Sequence, residues 1–236
     1  MAKPTTVGLL AIELALALFV VVVVGAGERG EQETGSIVGT VTVDEDDVPE
    51  MQVVDVTADQ AVCGTEVEDQ VTVVGPSGGV ANAVIIVSGA PWGDTKPVPV
   101  INNAGCYFVP RVQVAATRSV ITLTSEDDIL HTTHAYDDRQ RTLFNIAIPV
   151  PGLRIERPLR RPGPVRIECD SHKWMRGWVY VTDDIGVVTG RDGRFELSGI
   201  PSGSYELTVW HERFEGRSER VTVAAGGTAE TSFSLR

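Results

Sequence analysis

Cys169, His172 and Met175 place a thiol, an imidazole and a thioether within seven residues, Cys169-Asp170-Ser171-His172-Lys173-Trp174-Met175. Copper cycling between Cu(I) and Cu(II) suits this mixture, because soft sulfur holds the reduced ion and imidazole nitrogen serves both states. One Cys and two His with a weak axial Met form an electron-transfer copper site. A tight loop cannot supply all four ligands, so the second imidazole must come from another strand. His131 and His134 are the candidates.

The elements around these residues read as short strands. Val53–Val56, Gln70–Val74, Ala83–Val87, Val109–Val114, Ser119–Leu123, Val165–Glu168 and Trp178–Val181 are apolar or alternating runs. Turn signals such as Gly75-Pro76, Gly78-Gly79 and Pro162-Gly163 separate them. Ser36–Val43 alternates as a strand, and the acidic loop Asp44–Glu50 follows it. Beyond residue 30 no long 3.6-residue period appears, so an all-β sandwich or barrel is predicted. Further alternating runs, Arg191–Leu197, Ser204–Trp210, Arg220–Val223 and Thr231–Leu235, predict a second small β-sandwich from about Gly186 onward.

Pro162-Gly163, the Cys169/His172/Met175 loop and Arg176-Gly177-Trp178-Val179-Tyr180-Val181 resemble the copper loop and last strand of small cupredoxins, amicyanin most closely. Ser125 through His131 and His134 is similar to the family's upstream ligand segment. The resemblance spans roughly residues 100 to 183. It implies a Greek-key sandwich with one mononuclear type 1-like copper, His131 as the second imidazole and His134 as a bystander. Ser125 and Thr132 depart from it, each standing where the family has Asn. The tail, from Asp192-Gly193-Arg194-Phe195 through Ile200-Pro201-Ser202-Gly203 to Trp210-His211, resembles the carboxypeptidase regulatory-like family. That likeness implies a transthyretin-type β-sandwich used for interaction or stability. His211 reads as a strand-end cap, with a further metal-site position as the alternative.

Val7–Ala26 is a 20-residue apolar run interrupted only by Glu13. At 1.5 Å per residue it spans roughly 30 Å, the thickness of a hydrocarbon core. Lys3 precedes it, so the amino terminus is expected in the cytoplasm and the bulk of the chain outside, in the periplasm or its equivalent. Val24-Gly25-Ala26 would also serve as a signal-peptide cleavage site. The length of the run favours a retained single-pass anchor. Glu13 at membrane depth is costly unless paired or neutral, so a polar contact with a partner helix is expected, with a carboxyl protonated in lipid as the alternative. Outside the cytoplasm, two of the three cysteines would pair. Cys63 and Cys106 are the expected disulfide, with two free buried thiols as the alternative.

The expected domain map is an anchor over 1–27, an acidic linker and first strand over 28–52, a cupredoxin-like domain over 53–184 and the second sandwich over 185–236. Net charge is −12, which excludes an ordinary nucleic-acid binder. Thirteen acidic residues and no Lys or Arg lie between Glu31 and Thr95, whereas seven basic residues face three acidic ones between Arg154 and Arg176. Two docking faces of opposite sign, or ordinary solvated surface, would explain this. Four histidines cannot build the extra copper centres of an oxidase, so the expectation is not an enzyme. It is a membrane-anchored copper protein relaying electrons to or from a membrane-embedded redox complex. The alternative is a structural accessory subunit of such a respiratory or photosynthetic complex, with an empty or vestigial site.

Overall fold

The structure is a computed structural model of the 236-residue chain. It describes Met1 and residues 33–236, apart from 45, 46, 49, 72 and 76. The expected anchor at Val7–Ala26 and its Glu13 lie outside the described residues. Among the described residues no helix is long and apolar enough to cross a membrane.

Along the chain come β1 (Thr34–Val43), β2 (Val53–Asp55), a single helical turn α1 (Gln60–Cys63), β3 (Glu66–Glu68) and β4 (Val84–Pro91). Nine strands follow: β5 (Val100–Ala104), β6 (Tyr107–Val109), β7 (Val112–Ala116), β8 (Val120–Ser125), β9 (His131–Tyr136), β10 (Thr142–Ile148), β11 (Ile155–Pro158), β12 (Gly163–Glu168) and β13 (Arg176–Thr182). The tail carries β14 (Asp184–Val188), β15 (Arg194–Pro201), β16 (Gly203–Trp210), β17 (Arg217–Val223) and β18 (Thr228–Leu235). The all-β prediction therefore holds over the described residues.

Strands β5 to β13 make the first sandwich, with sheets ordered β10-β9-β12-β13-β7 and β11-β8-β5-β6. Period-2 alternation fixes what faces inward. In β9, His131, Thr133 and Ala135 are buried while Thr132, His134 and Tyr136 are not. Ile101, Phe108, Ile121, Leu123, Ile148, Ile167 and Val179 fill the space between the sheets. The pairs β5/β8 and β7/β13 are parallel, so the chain crosses between sheets rather than meandering.

Two expected strands differ. The run Val109–Val114 is split between β6 and β7 by Pro110, which has no N–H to donate to a ladder. Within Gln70–Val74 the described residues form no strand: Val74 makes an isolated bridge to Val80, and Val73 C=O accepts Ala81 N–H at 2.9 Å.

The second sandwich has sheets β15-β1-β18 and β14-β4-β16-β17. Its core joins Ile37 and Val41 of β1 and Ile85 and Val87 of β4 to Leu207, Val209 and Phe233 of the tail. The tail expected from about Gly186, bounded at 184/185, shares its sheets and core with β1 and β4. β15 and β18 do not touch each other across the sheet, because β1 lies between them, antiparallel to one and parallel to the other. Gly39 lets the strands close up, since a Cβ there would meet the Thr231 carbonyl and stand 2.6 Å from the Phe195 ring. The first sandwich is inserted between β4 and β14, which pair with each other.

A third apolar cluster joins the two sandwiches. Val84 and Ile86 from β4 meet Val112 and Val114 from β7, with Trp178 and Trp210 packed against them. The two indole rings lie 5.2 Å apart, edge to face. Glu212 accepts the Trp178 indole N–H at 2.8 Å and pairs with the Arg111 guanidinium.

Candidate metal centre

His131 opens β9 on its inward face, and Cys169 directly follows β12, two strands that are neighbours in one sheet. The loop 169–175 is closed by its own backbone: Met175 N–H donates to His172 C=O at 2.9 Å and Cys169 N–H to Met175 C=O at 3.3 Å. This tight turn carries His172 back toward His131. Cys169 Sγ lies 3.5 Å from His172 Nδ1 and 4.0 Å from His131 Nδ1, and the two Nδ1 atoms are 3.0 Å apart. Both imidazoles are 0 % exposed. Met175 is buried in the same core cluster as Cys169. Cys169 is the one free cysteine among the described residues.

Each imidazole is held from behind. His131 Nε2 is 2.9 Å from Asp127 Oδ2, and His172 Nε2 is 2.9 Å from Asp59 Oδ2. A carboxylate only accepts, so each Nε2 carries the proton and each Nδ1 presents a lone pair. Two lone pairs then face each other at 3.0 Å beside a thiol, with no proton between them. Protonating one ring would relieve this, but burial first, and His172 second, push His131 below its ordinary histidine value. A bound cation would also relieve it. Metal bonds of about 2.0–2.3 Å to imidazole nitrogen and thiolate sulfur would fit a triangle of this size. The donor set is soft sulfur plus nitrogen, as copper prefers.

The two departures at Ser125 and Thr132 keep the site tied together. Thr132 donates to Cys169 Sγ from its backbone N–H at 3.4 Å and from its hydroxyl at 3.7 Å. Its Oγ1 also accepts Asp170 N–H at 2.7 Å. Ser125 Oγ accepts Asp127 N–H at 3.1 Å, so it positions the carboxylate that positions His131. Asp127 further accepts the N–H groups of Gly105 at 2.7 Å and Cys106 at 2.9 Å.

Cys63 and Cys106 are joined in a disulfide across 43 residues. It fastens α1, and with it the preceding Asp59, to the β5–β6 turn. Trp174 completes the cover: its indole N–H donates to Cys106 C=O at 3.1 Å and its ring lies 5.1 Å from that of His172. Because Cys106 is cross-linked, the neighbouring group of Cys106, Asp127 and His131 offers no thiolate, which leaves His131, Cys169 and His172.

His134 lies three residues from His131 and so on the opposite face of β9. It is 2.9 Å from Asp170 Oδ1 and stacks on Tyr136. The structure keeps it out of the His131, Cys169 and His172 group. His211 is buried in the second sandwich, where its Nδ1 accepts Arg213 N–H at 3.2 Å. It is not brought to the metal group. Asp59 and Asp127 escaped the sequence reading. Asp127 sits four residues before His131 inside the acidic trio Glu126-Asp127-Asp128, a weak signal. Asp59 has none, because only the fold brings it across 113 residues to His172.

The model of the carboxypeptidase regulatory-like domain family matches residues 179–236. Among solved structures the chain is similar to a novel purple cupredoxin from Nitrosopumilus maritimus, at 20% identity and TM-score 0.32, over 36% of this chain and 99% of that one. It is similar to a point mutant of amicyanin in its reduced state at 17% identity and TM-score 0.32, over 43% of this chain and 100% of that one. A copper-containing nitrite reductase from Thermus scotoductus SA-01 matches at 19% identity and TM-score 0.31, over 40% of this chain and 26% of that one. No curated protein matches the chain.

Proposed function

We propose that His131, Cys169, His172 and Met175 would hold one mononuclear, type 1-like copper. The protein would relay electrons to or from a membrane-embedded redox complex. The segment 7–26 anchors it as a single span, with the amino terminus cytoplasmic and the sandwiches outside. The observation that carries the reading is the convergence of two buried imidazole Nδ1 atoms and one buried free thiol. Bound copper supplies one-electron chemistry.

The chain's own residues do the rest. Asp127 and Asp59 keep both Nδ1 atoms aimed inward and hold the Nε2 protons. Thr132 donates two hydrogen bonds toward Cys169 Sγ and so fixes where the sulfur points. Core packing around Cys169 and Met175 excludes water and would hold the donor atoms in place. Histidine count and site design favour a relay over an oxidase.

The test is spectroscopic. Copper-loaded protein should show an intense visible thiolate-to-copper band. That band should vanish in Cys169→Ser and in His131→Ala and survive in His134→Ala. Equal loss in both histidine variants would refute the ligand assignment.

A further inference from the structure

A second feature lies at the other pole of the first sandwich. The metal loop follows the last residue of β12, whereas a cleft of about 790 Å³ surrounds its first, Gly163. The six residues of β12 put roughly 20 Å between them. The cleft lies between β10 and β11, which are the terminal strands of their two sheets. Each therefore has one backbone edge without a strand partner among the described residues.

Its rim is basic in a chain of net charge −12. Five arginines line it against Asp137 and Asp138. Arg141 is spoken for by Asp137 at 2.6 Å. Arg139, Arg160 and Arg161 make no ion pair among the described residues. Phe144 and Leu159 supply apolar wall, and Leu143 is an exposed large apolar residue on the β10 edge.

The arginine loop is held in place. Leu159 is buried, its N–H donates to Ser119 C=O at 2.9 Å, and its C=O accepts Arg118 N–H at 2.7 Å. Pro158, Pro162 and Pro164 bracket Arg160 and Arg161, so their backbone has little freedom left to lose on binding. A solvated charge run does not need such fixing.

We propose that this groove docks an extended acidic segment of a partner protein, added along the β10 edge. Main-chain pairing would supply the register. Alternate side chains would then reach either the apolar wall or the guanidinium rim. Guanidinium groups bind carboxylates in a planar, two-pronged fashion, which selects acidic side chains over neutral ones. The groove is open and long relative to a small anion, and its distance from the metal loop leaves that end free. The inference is independent of copper.

The test is fluorescence anisotropy of the full-length protein with a labelled peptide of about ten residues alternating glutamate and valine, long enough to pair along one strand edge. Binding should weaken as salt rises and fall by at least about tenfold in Arg160→Glu/Arg161→Glu, since two charge-assisted contacts are reversed. Far-UV circular dichroism checks folding, and Arg160→Ala/Arg161→Ala gives a milder second variant. Undiminished binding in both variants would overturn the proposal. So would full displacement of the peptide by millimolar inorganic phosphate, which would mark a small-anion site. Self-association on sedimentation that the same variants abolish would assign the groove to a second copy and overturn it likewise.

Discussion

Two carboxylates decide how the metal group behaves at the scale of single residues. Asp127 and Asp59 each stand 2.9 Å from the Nε2 of one imidazole, and partners of this kind orient a ligand and raise its basicity. Asp127→Asn and Asp59→Asn should each weaken copper retention by about 10- to 100-fold in competition with a chelator, with the visible band still present. Unchanged retention in both would mean that packing alone orients the rings. His211 gives a prediction independent of the metal. Burial holds its pKa down to about 4, below the ordinary 6.5. Between these values the unfolded chain binds more protons than the folded one. Stability from this group is therefore complete above pH 6.5 and lost as pH falls toward 4. The loss is on the order of 3 kcal/mol. Denaturant midpoints of wild type and His211→Gln should converge across that window, and parallel curves would refute it. Cys169, His172 and Met175 were legible because their types and spacing are local. The choice of His131 over His134 came from the resemblance to the cupredoxin ligand segment, since a spacing of three says only that the two lie on opposite faces of a strand. Asp59 was not legible, because nothing near it in sequence mentions His172.

The strap that carries Asp59 matters most among the elements. β2, α1 and β3 have little core of their own, and none of the residues of α1 is buried. The Cys63–Cys106 bridge fastens them. Closing a 43-residue separation contributes about 4 kcal/mol by chain entropy. Cys63→Ser/Cys106→Ser should lower stability by roughly 2–4 kcal/mol and speed copper loss, because Asp59 is no longer held at His172. Faster hydrogen exchange should be confined to residues 53–69. A variant with native exchange in that segment would show that the strap docks without its tether. Strand existence was legible in alternation, as at β1, β12 and β16. Strand partners were not, because pairing between β1 and β18 joins strands from opposite ends of the described chain, Ser36 to Thr228 and Val43 to Leu235, and a local pattern says nothing about so distant a partner.

That long-range pairing governs the whole molecule. The second sandwich closes only when β1 and β4 join the tail, so its core depends on residues far upstream. A fragment of residues 185–236 should lack β-structure by circular dichroism, whereas residues 33–236 should fold. A folded, monomeric tail fragment would contradict the insertion arrangement. The Trp178–Trp210 contact and the Arg111–Glu212 pair couple the sandwiches, and removing one partner of a buried pair costs about 3–5 kcal/mol. The acidic 31–95 stretch and the basic 154–176 stretch were legible as charge. That the basic arginines frame a groove between two edge strands required the fold.

On the proposed reading, one copper is held through His131, Cys169, His172 and Met175. Metal analysis of full-length protein, loaded with Cu(I), oxidised, freed of excess and read together with its visible and electron paramagnetic resonance spectra, tests it most directly. The account predicts one copper per chain, an intense thiolate-to-copper band and a single mononuclear Cu(II) signal, all absent in Cys169→Ser. A correctly folded protein that retains no stoichiometric copper, or that keeps zinc in its place and shows no such band, would contradict it.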